Sequence, residues 1–396
     1  VDAIVAARNG GPALPPKAVL LTFDDGLKDV YTRAYPLLKL FNYPAVIALV
    51  GKWLDVPAGQ MVDYDNTPRS RELFVSWDEV REMQRSGLIE VATHAYNLHR
   101  GILANPQGNT EPAAITRLYQ SGKYESDNDY LSRIRNDLAE SRDLIGKNTG
   151  KAPRILVWPY GRSNVANQEI SQELGLSIAF TLEDGATSGK TPLIRTHRYL
   201  VENSPSLQEF AELMRRSWAS DPARSVKVKP GHWQDEEVDL SRTLDQLLSL
   251  QPNMAFVAPN QNEKALFPTS RRPLASDSLN RICWQIERRA GVPVFIDLPD
   301  DWLNDAELIA DLARHVNFAG LRLSAEPGSP HSKQVLSSAE RWRWPLKLIH
   351  SLQNTPPDNA WATLRQGDLL ALPATTANIA ALPSRAKTKV LLEFDP

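Results

Sequence analysis

Leu20 to Gly26 reads L-L-T-F-D-D-G, an apolar run that stops abruptly at two adjacent carboxylates and a glycine. The run from Ala18 to Phe23 has the composition of a buried strand. Similar runs recur as P-A-V-I-A-L-V-G from Pro44, L-I-E-V-A-T from Leu88, R-I-L-V-W-P from Arg154 and S-I-A-F-T-L from Ser177. Helical patterns separate them. Ser76-x-x-Glu79 and Ser206-x-x-Glu209 fit capping boxes, and Leu131, Ile134, Leu138 and Ile145 trace one face of a helix expected to end near Gly146. Strands alternating with helices predict an α/β fold with a mostly parallel sheet or barrel.

A second series comes after a polar stretch. Seven more strand candidates are V-K-V, M-A-F-V-A, V-P-V-F-I-D-L, F-A-G-L-R-L, P-L-K-L-I, D-L-L-A-L and K-V-L-L-E-F. Their spacing is one strand plus one helix, yet an eightfold barrel takes about 250 residues. The expectation is therefore two domains, 1–217 and a short barrel-like 226–396, joined by a linker at 218–225.

The chain has 396 residues, 42% of them hydrophobic, enough for a large core. Lys and Arg total 45 against 47 Asp and Glu without long runs of one sign, so no nucleic-acid or anionic-membrane partner is expected. The single cysteine, Cys283, excludes an intramolecular disulfide and sits in an amphipathic pattern suited to core packing. No apolar segment approaches the roughly 20 residues of a membrane span. V-D-A-I-V-A-A-R before N-G-G reads as the last turns of a helix without an N-cap, which suggests that its natural start is missing. Oligomeric state is not legible.

In parallel α/β sheets the binding crevice lies beyond the carboxyl ends of the strands. Asp24 and Asp25 come after one strand, His94 and then His99 after another, and Pro159-Tyr160-Gly161 after a third. Each piece alone has a bland reading as a turn, a helix cap or a packed side chain. Together, two imidazoles and one carboxylate are three ligands for a divalent ion, as in catalytic zinc or non-haem iron sites. The second carboxylate is then free to accept a proton from water. Residues five apart on a helix are about 140° out of phase, so T-H-A-Y-N-L-H must be a loop or a distorted turn for both histidines to face one ion.

T-F-D-D-G, T-H-A-Y-N-L-H and W-P-Y-G together resemble the polysaccharide deacetylases of carbohydrate esterase family 4. The longer gap between the histidines, the W-P-Y-G form and the second α/β domain resemble its PgaB-type branch, the poly-β-1,6-N-acetylglucosamine N-deacetylases. The resemblance implies a distorted (β/α) barrel, followed here by the second, short (β/α) barrel-like domain. It implies Asp24 as general base, and Asp25, His94 and His99 as ligands of one divalent metal, zinc, with cobalt or nickel as alternatives. It also implies the Tyr160 main-chain N–H as an oxyanion donor, and Trp158 and the Tyr160 ring as walls of the sugar pocket.

The chain departs from the family pattern in two places. The family holds its base with an arginine two positions before the proline of the third motif, where this chain has Val157; Arg71 is the replacement suggested here. The PgaB-type branch carries its general acid, a histidine, on a strand before T-F-D-D-G, upstream of residue 1, which leaves His197 in L-I-R-T-H-R-Y-L as a fallback.

The second domain resembles a glycosidase-like barrel, with Glu326, Asp297 and Asp300 as its few candidate acids, and seven of the ten tryptophans lie after residue 217. Glycan binding rather than hydrolysis is expected of it, although Trp284 and Trp302 sit at helix-core spacings. The resemblance further implies a β-1,6-linked N-acetylglucosamine polymer as substrate and an outer-membrane export porin as partner. It implies a periplasmic location with a lipid anchor at the outer membrane.

Overall fold

Five apolar runs of the first half become the parallel strands β1 (Leu21–Phe23), β2 (Ala45–Leu49), β3 (Ile89–Thr93), β4 (Ile155–Val157) and β5 (Ile178–Phe180), side by side in that order. The structure is a computed structural model and describes every residue except 184, 216–222, 357, 366, 383–389 and 394–396. Because strand order follows chain order, each crossover winds in the same direction. Helices then collect on one face and the other face curls inward, as in a (β/α) barrel rather than a doubly wound sheet.

β2 is buried at all five positions because it is covered on both faces. Val46 and Ala48 join Ala92, Ile155, Val157, Ile178 and Phe180 in an inner cluster, against which Val1, Val5 and Leu193 pack. Ile47 and Leu49 face outward onto Leu38, Trp53, Val80 and Met83. The strand ends are therefore fixed by packing from two sides.

The Ser76–Glu79 capping box forms at the start of the helix Trp77–Arg85, and Ser206 and Glu209 exchange the same pair of bonds. The long helix α1 (Asp127–Thr149) overruns its expected end at Gly146. It stops at Gly150, which takes φ +74° and donates its N–H to the Gly146 carbonyl. A glycine inside a helix costs about 1 kcal/mol and does not end it, whereas a left-handed residue does.

All seven runs of the second half form strands, again parallel and in chain order: β6 (Ser225–Val228), β7 (Met254–Val257), β8 (Val294–Asp297), β9 (Gly320–Leu323), β10 (Lys347–Ser351), β11 (Leu369–Pro373) and β12 (Val390–Glu393). Phe256, Phe295, Ile349, Ala371 and Leu391 share its inner cluster. Cys283 is buried, as are Trp302, Trp342, Trp344 and Trp361.

The chain forms two compact units, but not by one cut. Leu103–Thr110 and Thr116–Tyr124, which fall within 1–217, belong to the second unit with Ser217–Pro396. Long-range contacts hold them there: Gln107 donates to the Asp277 carbonyl at 2.6 Å, Tyr124 donates to the Asp277 carboxylate at 2.7 Å, and the Arg117 guanidinium lies over the Trp342 ring. The linker expected at 218–225 lies largely outside the described residues. Among the described residues, no helix is long and apolar enough to cross a membrane.

Candidate active site

Strand register brings the motifs together. Phe23 pairs with Ile47, Leu49 with Thr93, Thr93 with Leu156 and Val157 with Phe180, so the residues just beyond β1, β3 and β4 emerge on one rim. Asp25 turns back at φ +70° and Ala95 at φ +65°, left-handed conformations that cost side chains of order 1–3 kcal/mol and collect at functional sites. Between His94 and His99 the chain is a loop, as the phase argument requires.

Asp25 Oδ1 stands 3.5 Å from His94 Nε2 and 3.4 Å from His99 Nε2. Two donors about 2.1 Å from one tetrahedral ion lie about 3.4 Å apart, so this spacing fits a divalent cation. Asp25 Oδ1 is buried and accepts no hydrogen bond, which also fits an atom placed to ligate a cation. The His94 Nδ1–H donates to the Val157 carbonyl at 2.7 Å, leaving the Nε2 lone pair aimed at Asp25. Burial, then the neighbouring His94, hold the His99 imidazole below its ordinary range and favour the neutral, ligating form.

Tyr64, which the sequence does not mark, donates to Asp25 Oδ2 at 2.6 Å. It sits at the end of the first strand of the hairpin formed by Met61–Tyr64 and Thr67–Ser70. Burial, then the Asp25 bond, raise its hydroxyl pKa, so Tyr64 stays a donor. The rings of Trp53, Tyr64 and Tyr160 surround His99 at centroid distances of 5.0, 6.3 and 4.4 Å.

Asp24 is held by Arg198 rather than Arg71. Arg198 donates to both carboxylate oxygens, at 2.7 and 2.9 Å, and also to Thr22 Oγ1 and the Thr181 carbonyl. Arg71 is buried and spends its guanidinium on the carbonyls of Val56, Phe74 and Leu54, a structural role. Burial pushes the Asp24 carboxyl up, but His94, the Arg198 bonds and charge, and His99 outweigh it and leave it below its ordinary value.

His197 does not reach this site. Thr196 continues the sheet beside Phe180, and along an extended chain consecutive side chains point to opposite faces. Arg198 turns to Asp24, and His197 turns to Glu183, 3.8 Å away. Burial also lowers its pKa, which favours the neutral imidazole.

In W-P-Y-G, Tyr160 adopts φ +56° within the turn Pro159–Gly161. Trp158 is wholly buried and packs beneath the rim, which corrects its expected place as a pocket wall. The Tyr160 ring remains at the site through its contact with His99.

In the second unit, Arg322 donates to Asp297 at 2.6 Å, to Ser351 at 2.7 Å and to both oxygens of Glu393, all near the carboxyl ends of the strands. Glu326 and Asp300, the other candidate acids, are exposed.

Residues 11–179 match the polysaccharide deacetylase family. The poly-β-1,6-N-acetyl-D-glucosamine N-deacetylase of Escherichia coli K12 is 35% identical over 307 residues, covering 74% of this chain; the chain spans about half of that protein's length, 46%. The protein of the same name from Staphylococcus aureus N315 is 25% identical over 202 residues, covering 51% of this chain and 59% of that protein. Among solved structures, a de-N-acetylase from Aggregatibacter actinomycetemcomitans is 39% identical, with a TM-score of 0.51, and the match covers 54% of this chain and 80% of that one. With its three motifs gathered on one rim of a parallel barrel, the first half of the chain is a domain of the polysaccharide deacetylase family.

Proposed function

We propose that this protein removes N-acetyl groups from a β-1,6-linked N-acetylglucosamine polymer, with zinc as the resident ion. The observation that carries this reading is the convergence of Asp25, His94 and His99, whose donor atoms all lie within 4.8 Å of one another, beside an Arg198-held Asp24. When bound, such an ion polarises the acetyl carbonyl and acidifies water. Asp24, ionised at neutral pH, accepts the proton of the attacking water, and Arg198 fixes the direction of its carboxylate. The Tyr160 N–H supplies a donor for the developing oxyanion. The proton that Asp24 gains balances the one the departing amine takes up, and His197, facing Glu183, is not placed to deliver it.

For the second unit the reading is glycan binding without hydrolysis. A glycosidase needs one carboxyl free to donate a proton and another free to act as base or nucleophile. Asp297 is instead bound, with Glu393, to one guanidinium, and the other candidate acids, Glu326 and Asp300, are exposed. An export porin as partner and a periplasmic, lipid-anchored setting complete the proposal, on family resemblance.

The test is metal analysis of the purified chain together with acetate release from β-1,6-linked N-acetylglucosamine oligomers. Activity should depend on added zinc, cobalt or nickel and vanish in Asp24→Asn with metal binding retained. Metal binding without acetate release would favour a non-catalytic glycan-binding protein. Release from chitin or peptidoglycan fragments alone would transfer the activity to another N-acetylglucosamine polymer.

A further inference from the structure

The two histidine ligands are separated by four residues, Ala95 to Leu98, and something must set the shape of that loop. Its main-chain groups are claimed from two sides. The N–H groups of Gly51 and Lys52, at the start of the helix Gly51–Asp55, donate to the carbonyls of Ala95 and Tyr96 at 3.0 and 2.9 Å. From α1, Asp137 accepts from the N–H of Tyr96 through Oδ1 and from that of Asn97 through Oδ2, both at 2.8 Å. One turn further along α1, Ser141 pairs with Thr93 Oγ1 at 2.6 Å, and that hydroxyl accepts the Ala95 N–H at 3.0 Å. Space is equally constrained: a Cβ at Gly51 would lie 2.7 Å from the Tyr96 ring.

We propose that Asp137 is a positioning residue for the metal ligands: by taking both N–H groups at the loop's turn, it sets the separation and orientation of the two imidazoles. The proposal rests on the reading of His94 and His99 as ligands. A carboxylate suits the task because its two oxygens are pure acceptors and can receive two adjacent donors. Burial pushes the Asp137 carboxyl up to about 6 while the two N–H bonds oppose the rise, so it is ionised at neutral pH. In Asn, one oxygen becomes an NH2 group that faces an N–H, so one bond is replaced by a repulsion. In Glu, both acceptors survive on a longer stem.

The experiment measures zinc affinity of the full chain by competition with a chromophoric chelator, beside thermal unfolding of the zinc-free protein, for wild type, His99→Ala, Asp137→Asn and Asp137→Glu. Asp137→Asn is expected to weaken zinc binding by about 10- to 100-fold, as loss of a group that orients a ligand does, and Asp137→Glu by less. A purely structural carboxylate would lower the unfolding temperature and leave the zinc affinity of the folded variants within about twofold of wild type, and that result overturns the proposal. If Asp137→Asn does not fold, the same threshold is applied to Asp137→Glu. If His99→Ala binds zinc as wild type does, the ligand reading itself fails and the proposal falls with it.

Discussion

Replacing Arg198 by lysine keeps a positive charge near Asp24 but removes the planar fork that grips both oxygens. The two bonds, at 2.7 and 2.9 Å, are charge-assisted, a class worth about 1.5–3 kcal/mol each when well shielded. Here the side chains are 11% and 28% exposed, so solvent screening reduces the pair to about 2–3 kcal/mol in all. Spent on orienting the base, that is a loss of roughly 30- to 150-fold in kcat. A lysine would also favour the ionised base less, because the Arg198 bonds are among the interactions that keep this carboxyl below its ordinary value. The Asp24 pKa should rise, and the acid limb of the kcat/KM profile should move to higher pH. Acetate release from β-1,6-linked oligomers across pH 4–8, with zinc affinity measured in parallel, reads both effects. Zinc affinity should stay unchanged. Arg71→Lys is the contrast: it should lower stability, since it strips bonds to three main-chain carbonyls, and leave the pH profile in place. Turnover within threefold of wild type in Arg198→Lys, with an unmoved acid limb, would refute the assignment of Arg198 as the residue that holds the base.

Tyr64→Phe keeps the ring against Trp53 and Phe74 and deletes only the 2.6 Å bond to Asp25, so zinc affinity should fall about 10-fold or more with little change in unfolding temperature, as chelator competition would show. Gly161→Ala places a Cβ 2.6 Å from Leu182 at φ +66°, and chemical denaturation should show a loss of about 2 kcal/mol or more. His315 is depressed to about 3 by burial, with Arg117 and Arg314 adding to the shift. Between about pH 6.5 and 3 the unfolded chain therefore binds the proton that the folded chain refuses, and stability falls as pH drops through that window. Near pH 5 this contributes about 2 kcal/mol of destabilisation, which His315→Gln should remove when urea midpoints at pH 7 and 5 are compared.

How much of the site was legible depends on the range of each signal. Asp24, Asp25, His94 and Tyr160 each come just after an apolar run, with His99 one short loop further on, and a strand end with its turn is written in a few adjacent residues. The parallel architecture needs only the alternation of those runs with helices, and all twelve became strands. The helix stop at Gly150 was missed because Gly146 looks the same in one dimension; which glycine goes left-handed depends on where the chain beyond it must pack.

The sequence by itself determined the strands, the two barrel-like units and the residue types gathered at the rim, because hydrophobic periodicity and turn chemistry act over a few neighbours. Only the tertiary structure decided that Arg198, 174 residues from Asp24, holds that carboxylate, that Arg71 braces main-chain carbonyls, and that Trp158 is core. It also turned His197 away, sent two segments of the first half into the second unit, and brought Tyr64 and Asp137 to the loops that carry Asp25, His94 and His99. The reason is physical: which of many identical guanidinium or carboxyl groups meets a given partner depends on strand register and on the face an extended segment presents, and both are fixed only once distant parts of the chain have packed.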